Sequence, residues 1–336
     1  MQRQLRVTVS PDAAGSSLLD YLARRFTYLS RQAWRAELAV GHLLLNDRSG
    51  QPDALLAAGD LLVYLPSVAA LAEPPVVLDY GVLYEDEHLL VVDKPAPLPC
   101  HPGGRFFSHT LWALLRERQG LARPALVNRL DRETSGIVLV AKTRGAARSC
   151  QEQFLAGAVE KEYLALVEGE AEFWEHEAVG WLAPDPASQV RKKVRFHPLP
   201  AKAESGGVAC VTALRRLVAR AGLSLLAVMP RTGRCHQIRA TLFALGLPVV
   251  GDKLYGLDET LFLRFMEDGL TDADRALLRL ERQALHAARL CIRHPESGRE
   301  MEFRSPAPPA FSRLLPAGAA VGADSPVNLN THGIAS

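Results

Sequence analysis

The sequence lacks the cysteine pattern of a disulfide-stapled domain. Cys100, Cys150, Cys210, Cys235 and Cys291 are its only cysteines, odd in number and far apart, with no C-x-x-C pair and no Cys/His ligand set. That pattern argues for free thiols in a reducing compartment and against a zinc site. Long apolar runs are missing as well. None approaches the ~18 residues that a membrane-spanning helix requires, and the opening Met1 to Arg6 has no apolar signal core behind it. A cytoplasmic location without a membrane partner is the expectation. A strong charge imbalance is also absent: the net charge is +2 over 336 residues. Binding to a polyanion therefore depends on local clusters. Such clusters occur at Arg191, Lys192, Lys193 and Arg195, and again at Arg231, Arg234 and Arg239. With 48% hydrophobic and 23% charged residues, the chain is not of the disordered class.

The length exceeds what a single core usually fills, so more than one domain is expected. Leu5 to Val9 alternates like a short strand, and Ser16 or Ser17 can cap a helix with Leu18, Leu19, Leu22 and Phe26 on one face. Ser30 precedes a second helical stretch through Trp34 and Leu38, and Gly59-Asp60 makes a hairpin-like turn before Leu61 to Tyr64. Pro66 to Pro75 has no apolar periodicity and reads as a linker. The boundaries expected are a small domain over 1–66, a linker over 67–79, a main domain over 80–315 and a disordered tail over 316–336. Within the main domain, strands are predicted near 137–141, 162–167, 208–214, 224–228 and 288–293, with helices at 111–118, 144–156 and 235–245. Strands interrupted irregularly by helices indicate an α+β fold with a mostly antiparallel sheet. Leu257 to Gln283 reads as one helical elaboration whose leucines pack inward.

Asn128-Arg129-Leu130-Asp131-Arg132-Glu133-Thr134-Ser135-Gly136 carries the most chemistry. It sets a carboxylate between two arginines in a turn-rich segment, directly before the apolar run Ile137 to Ala141. A nearby arginine keeps a carboxylate ionised, and loops on rigid scaffolds often carry function. A plain salt bridge leading into a buried strand would look the same locally. The segment resembles the H-R-L-D-x-x-T-S-G motif of the RluA family of RNA pseudouridine synthases, with Asn128 where that family usually has His. Lys161 to Ala165 resembles its K-x-Y-x-A element, and Arg231 to Arg239 resembles R-T-G-R-x-H-Q-I-R. Leu247 to Gly256 and Leu285-His286-Ala287 follow in the same order.

The resemblance implies a pseudouridine synthase fold, a mixed and mostly antiparallel sheet with flanking helices and a central cleft. It also implies an S4-like α/β module at the N-terminus, in which Arg24, Arg25, Arg31 and Arg35 would contact phosphates. The implied activity isomerises uridine in structured RNA, ribosomal or transfer, with no cofactor or metal, and nothing demands more than a monomer. Asp131 would be the catalytic carboxylate, attacking C1′ or taking a proton at C2′, and Arg239 its ion-pair partner. Tyr163 would stack on the uracil and assist proton transfer at C5. Ile238 and Leu285 would wall the base, and Arg129 would fill the gap left by the everted nucleotide. Arg132, Arg231 and Arg234 would meet phosphates, and Lys142 is a further candidate.

Two alternatives compete with this reading. One is an RNA-binding protein that keeps the scaffold without catalysis. The other is a nucleoside or glycoside hydrolase, which usually needs two carboxylates flanking the bond; only Glu133 lies beside Asp131.

Overall fold

A computed structural model describes residues 4–26, 29–66, 73–200, 206–267 and 269–315. The expected tail over 316–336 and part of the expected linker fall outside them. The described residues up to Ala147, with Leu257–Arg282, form one compact unit; Arg148–Gly256, with the described residues from Gln283 onward, form a second. No helix among the described residues is long and apolar enough to cross a membrane.

The first unit begins with a small module. Strands β1 (Leu5–Thr8), β2 (Leu43–Leu45), β3 (Arg48–Ser49) and β4 (Leu61–Tyr64) pair antiparallel in the order β1-β4-β2-β3. Asn46 and Asp47, both at positive φ, supply the tight turn between β2 and β3. The two expected helices are present as α1 (Leu18–Arg25) and α2 (Arg31–Ala39), capped by Ser17 and Ser30. Leu18, Leu19, Leu22, Trp34, Leu38 and Leu62 share a buried core. Buried Glu37 accepts a hydrogen bond from the Tyr64 hydroxyl at 2.9 Å. Arg24, Arg25, Arg31 and Arg35 remain exposed, with Arg31 paired to Asp20.

Farther along this unit, β5 (Gly81–Glu85), β6 (Leu89–Lys94), β7 (Ala125–Leu126) and β8 (Ser135–Ala141) form antiparallel pairs: β5 with β6, β6 with β8, and β7 with β8. Every residue of β8 is buried. Such a strand reads as a continuous apolar run without alternation. Helix α3 (Leu111–Arg118) starts at its Thr110 cap, over the residues predicted for it. Glu73, inside the expected linker, is fixed in place. Its carboxylate accepts from the backbone N–H groups of Phe107, Ser108 and His109, each at 2.7 Å; burial pushes its pKa up, but these bonds and that of the Ser108 hydroxyl outweigh it and hold the pKa at about 2.

Helix α4 (Arg144–Leu155) follows β8. In the second unit, β9 (Glu160–Glu168), β10 (Glu175–Pro184), β11 (Val194–Pro198), β12 (Val208–Arg220), β13 (Leu223–Pro230), β14 (Leu285–Arg293) and β15 (Glu300–Arg304) run β11-β10-β12-β13-β9-β14-β15. Every neighbouring pair is antiparallel. Helix α5 (Gln237–Ala244) follows β13. Residues 257–283, expected as one helix, contain two: α6 (Thr260–Glu267) and α7 (Asp272–Leu278). Gly269 at φ 86° and the Thr271–Asp274 capping box account for the break, since positive φ ends one helix and the cap starts another.

Candidate active site

In the first unit the Asp131 turn lies between β7 and β8 and is tied down on both sides. Asn128 works as a substitute strand residue: its Nδ2 donates to the Ile137 carbonyl at 3.1 Å, and its Oδ1 accepts from the Leu139 N–H at 2.8 Å. An amide offers both a donor and an acceptor, which lets one side chain continue the β8 ladder. Asn128→Ala is expected to cost about 1–3 kcal/mol, because both backbone groups lose their partner next to a buried strand. Urea unfolding checks it, and an unchanged midpoint would contradict the role. Gly136, at φ 108°, provides the backbone conformation that leads from the turn into β8.

On the other side, the Leu130 N–H meets the Cys100 sulfur at 3.3 Å, and the Leu98 N–H donates to the Arg132 carbonyl at 2.8 Å. Lys94 lies underneath, fully buried. Its Nζ donates to the carbonyls of Pro95 at 2.9 Å, Leu98 at 2.8 Å and Arg132 at 3.5 Å. Burial pulls its pKa down to about 8, while the Cys100 sulfur and the negative charge of Asp131 work against that fall. Half-buried Asp131 thus lies within electrostatic reach of the Lys94 ammonium. Burial in turn pushes the Cys100 thiol up, with Lys94 opposing.

Arg129 is exposed and Leu130 is buried, so the turn alternates outward and inward around Asp131. Arg132 pairs with Glu133 at 2.8 Å, and its guanidinium lies 5.5 Å from the Phe106 ring centre and 5.1 Å from that of Phe265. Arg282 reaches the Ser135 hydroxyl at 3.3 Å. Lys142 is engaged away from the turn, by Glu85 at 2.9 Å.

The second unit carries the other expected residues. Tyr163, half-buried on β9, is the register partner of Val228 on one side and Ala287 on the other, while Ala165 pairs with Leu285. Directly paired residues share a sheet face, so Tyr163, Ala165, Leu285 and Ala287 lie together. Ile238 and Arg239 are buried at the start of α5. Two of the Arg239 nitrogens are committed: Nε donates to Asp252 Oδ2 at 2.6 Å and Nη2 to Oδ1 at 2.8 Å. Asp252 also accepts from the Leu254 and Tyr255 N–H groups, each at 2.9 Å. Burial favours its neutral acid, but the charge and bonds of Arg239 outweigh that and hold the carboxyl below the usual aspartate range. Gly256 closes this turn, where a Cβ would sit 2.1 Å from the Asp252 carbonyl oxygen.

Gln237 anchors the loop ahead of α5 and was not singled out from sequence. Its Oε1 accepts from the Thr232 hydroxyl at 2.8 Å and the Arg234 N–H at 3.0 Å. Its Nε2 donates to Val211 O at 3.0 Å and to the Thr212 hydroxyl at 2.9 Å. Arg231 and Arg234 stay exposed on that anchored loop, with Arg231 3.3 Å from Glu177. Lys94 and Asp252 were likewise not assigned a role. Asp252 sits inside the Leu247 to Gly256 stretch, but burial of a charge is invisible in composition.

The model of the RNA pseudouridylate synthase family matches residues 88–244, a span that includes Asp131, Tyr163 and Arg239. Ribosomal large subunit pseudouridine synthase D of Xanthomonas campestris pv. campestris is 35% identical, over 94% of this chain and 93% of its own length. The mitochondrial tRNA pseudouridine(32) synthase of Saccharomyces cerevisiae is 30% identical, over 79% of this chain and 55% of its own length. Among solved structures, human RNA pseudouridylate synthase domain containing 1 matches with a TM-score of 0.53 at 26% identity, covering 70% of this chain and 86% of that one.

Proposed function

The chain belongs to the RNA pseudouridylate synthase family, and we propose that it isomerises specific uridines of ribosomal or transfer RNA with Asp131 as the catalytic carboxylate. The observation that carries the assignment of Asp131 is its setting: a carboxylate in a turn stitched at Asn128, Leu130 and Arg132, beside the buried Lys94 ammonium, within the matched segment.

The reaction breaks the N1–C1′ bond and joins C5 to C1′. The hydrogen leaves C5 and N1 ends protonated, so atoms balance without a cofactor. Ionised Asp131 supplies what the sugar needs, as nucleophile at C1′ or base at C2′. A helix hides its bases, so the target must be everted at a cost of about a few kcal/mol. Exposed Arg129, two residues before Asp131, is assigned to the space left behind. Tyr163 is assigned to stacking and proton transfer at C5, with Ile238 and Leu285 walling the base. Arg239, whose Nε and Nη2 are held by Asp252, is assigned as the cation facing the Asp131 charge. Arg231 and Arg234, both exposed, are assigned to phosphates.

The names of the relatives motivate the choice of RNA. We assign residues 1–66 as an S4-like module gripping structured RNA through exposed Arg24, Arg25, Arg31 and Arg35. The free thiols suit a reducing cytoplasm. The test is to incubate the purified protein with large-subunit rRNA and tRNA transcripts tritiated at uracil C5. Tritium release that stops at a fixed number of sites per RNA is expected; no release from either RNA would contradict the reading.

Lys94 makes the pH dependence specific. Below pH about 8 the ammonium has three hydrogens for its three carbonyl partners, and its charge supports ionised Asp131. Above that pH the amine keeps two hydrogens and no charge. Activity is therefore expected to fall as pH rises through about 8, and Lys94→Met to be slow throughout without that alkaline limb. A wild-type rate that stays flat well above pH 8 would remove Lys94 from the account.

A further inference from the structure

Arg132 follows the catalytic carboxylate directly, and its expected role was a phosphate contact. Its surroundings in the first unit point elsewhere. Phe106 and Phe265 both pack on its guanidinium, with ring centres 5.5 and 5.1 Å away, while Glu133 pairs with it at 2.8 Å. Its side chain keeps 26% of its exposure. A guanidinium gains from aromatic faces most when it is drawn away from water, and a carboxylate partner answers its charge.

Each ring belongs to an independently braced segment. Phe106 closes a tight loop through reciprocal backbone bonds with Gly103, at 2.9 and 3.0 Å, and the next three backbone N–H groups are held by Glu73. Phe265 lies on α6, whose neighbouring Arg264 pairs with Asp274 at 2.7 Å and Asp258 at 3.4 Å. The backbone of Arg132 is fixed separately, its carbonyl accepting from the Leu98 N–H at 2.8 Å. Three segments distant in sequence, the 98–109 loop, the Asp131 turn and α6, thus converge on one side chain.

We propose that Arg132 is a positioning residue, which orients Asp131 through a clamp of two aromatic rings and makes α6 part of the catalytic support. This rests on the assignment of Asp131 above. An Asp131 turn loosened by about 1 Å loses rate while leaving RNA affinity alone. A lost phosphate contact does the reverse, weakening binding and reducing the salt slope by about 1.

The experiment measures single-site kinetics, salt-dependent RNA binding and thermal melting for wild type, Arg132→Gln, Arg132→Lys, Phe265→Leu and Phe106→Leu. Arg132→Gln is expected to lower kcat about 10- to 100-fold, with KM and the salt slope unchanged. Arg132→Lys should recover part of that rate, because an ammonium retains some attraction for the rings. Phe265→Leu should lower kcat in the same sense, and should add little to Arg132→Gln in the double variant. The two Phe variants cannot lose a phosphate contact, so they decide the matter even if Arg132→Gln fails to fold. Unchanged kcat in both Phe variants, or a raised KM with a shallower salt slope in Arg132→Gln, overturns the clamp. Absence of wild-type turnover counts instead against the proposed function.

Discussion

Asp131→Asn is expected to bind the RNA substrate as tightly as wild type and to form no measurable pseudouridine. A loss of about 10⁴-fold or more follows from removing a group that acts as nucleophile or base. The substitution keeps the size and most hydrogen-bonding capacity of the side chain but removes its charge. Neither attack at C1′ nor proton removal at C2′ survives that change, so the result does not depend on which step occurs. The turn itself should persist, because Asn128, Leu130 and Arg132 anchor it and the amide keeps the shape of the carboxylate. One secondary effect is specific: without the Asp131 charge, buried Lys94 loses one of the two leading influences that keep its ammonium protonated. Single-turnover assays paired with filter binding separate the two properties. Turnover within tenfold of wild type would rule out Asp131 as the catalytic group.

Asp252→Ala is expected to be the most destabilising single change in the second unit. It strips a buried guanidinium of a two-point partner, and breaking a buried pair from one side costs about 3–5 kcal/mol. The two N–H groups of Leu254 and Tyr255 lose their acceptor as well. The double variant Arg239→Met, Asp252→Leu should regain much of that stability while remaining inactive, since apolar replacement of both partners avoids the stranded charge. Denaturant titration of the three proteins checks both statements; a loss below about 1 kcal/mol for Asp252→Ala would contradict the burial argument. The sign with pH is set by the direction of the shift. The folded-state pKa of Asp252 lies below the usual 3.8, so its contribution is complete above that value and disappears as pH falls through the folded-state pKa.

Residue type and local order carried the site further than they carried its supports. Asp131, Tyr163 and Arg239 could be named because each sits in a contiguous motif. Asp252 sat inside the matched text too, but its pairing with Arg239 is a contact across 13 positions, which no local pattern reveals. Asn128 shows the same limit. From sequence it read only as a departure from the usual His, whereas its amide continues a strand ladder, a role that requires the position of β8 to be known. For the fold, β8 was legible from an unbroken apolar run, and α3 lies over the residues expected for it. Strands β10 and β11 were not: His176, Glu177 and Arg195 give them exposed, polar positions that blur the apolar signal. The break between α6 and α7 was overlooked because the leucine stripe continues through it, although Gly269 and Thr271 mark it.

The central claim, an Asp131-dependent uridine isomerisation, is tested most directly by mapping pseudouridines across the cellular RNA of a strain lacking this gene. The account predicts that a defined set of uridines in ribosomal or transfer RNA loses the modification, regains it with the wild-type gene and stays unmodified with Asp131→Asn. A map identical to that of the parent strain, or one restored equally by Asp131→Asn, would contradict it.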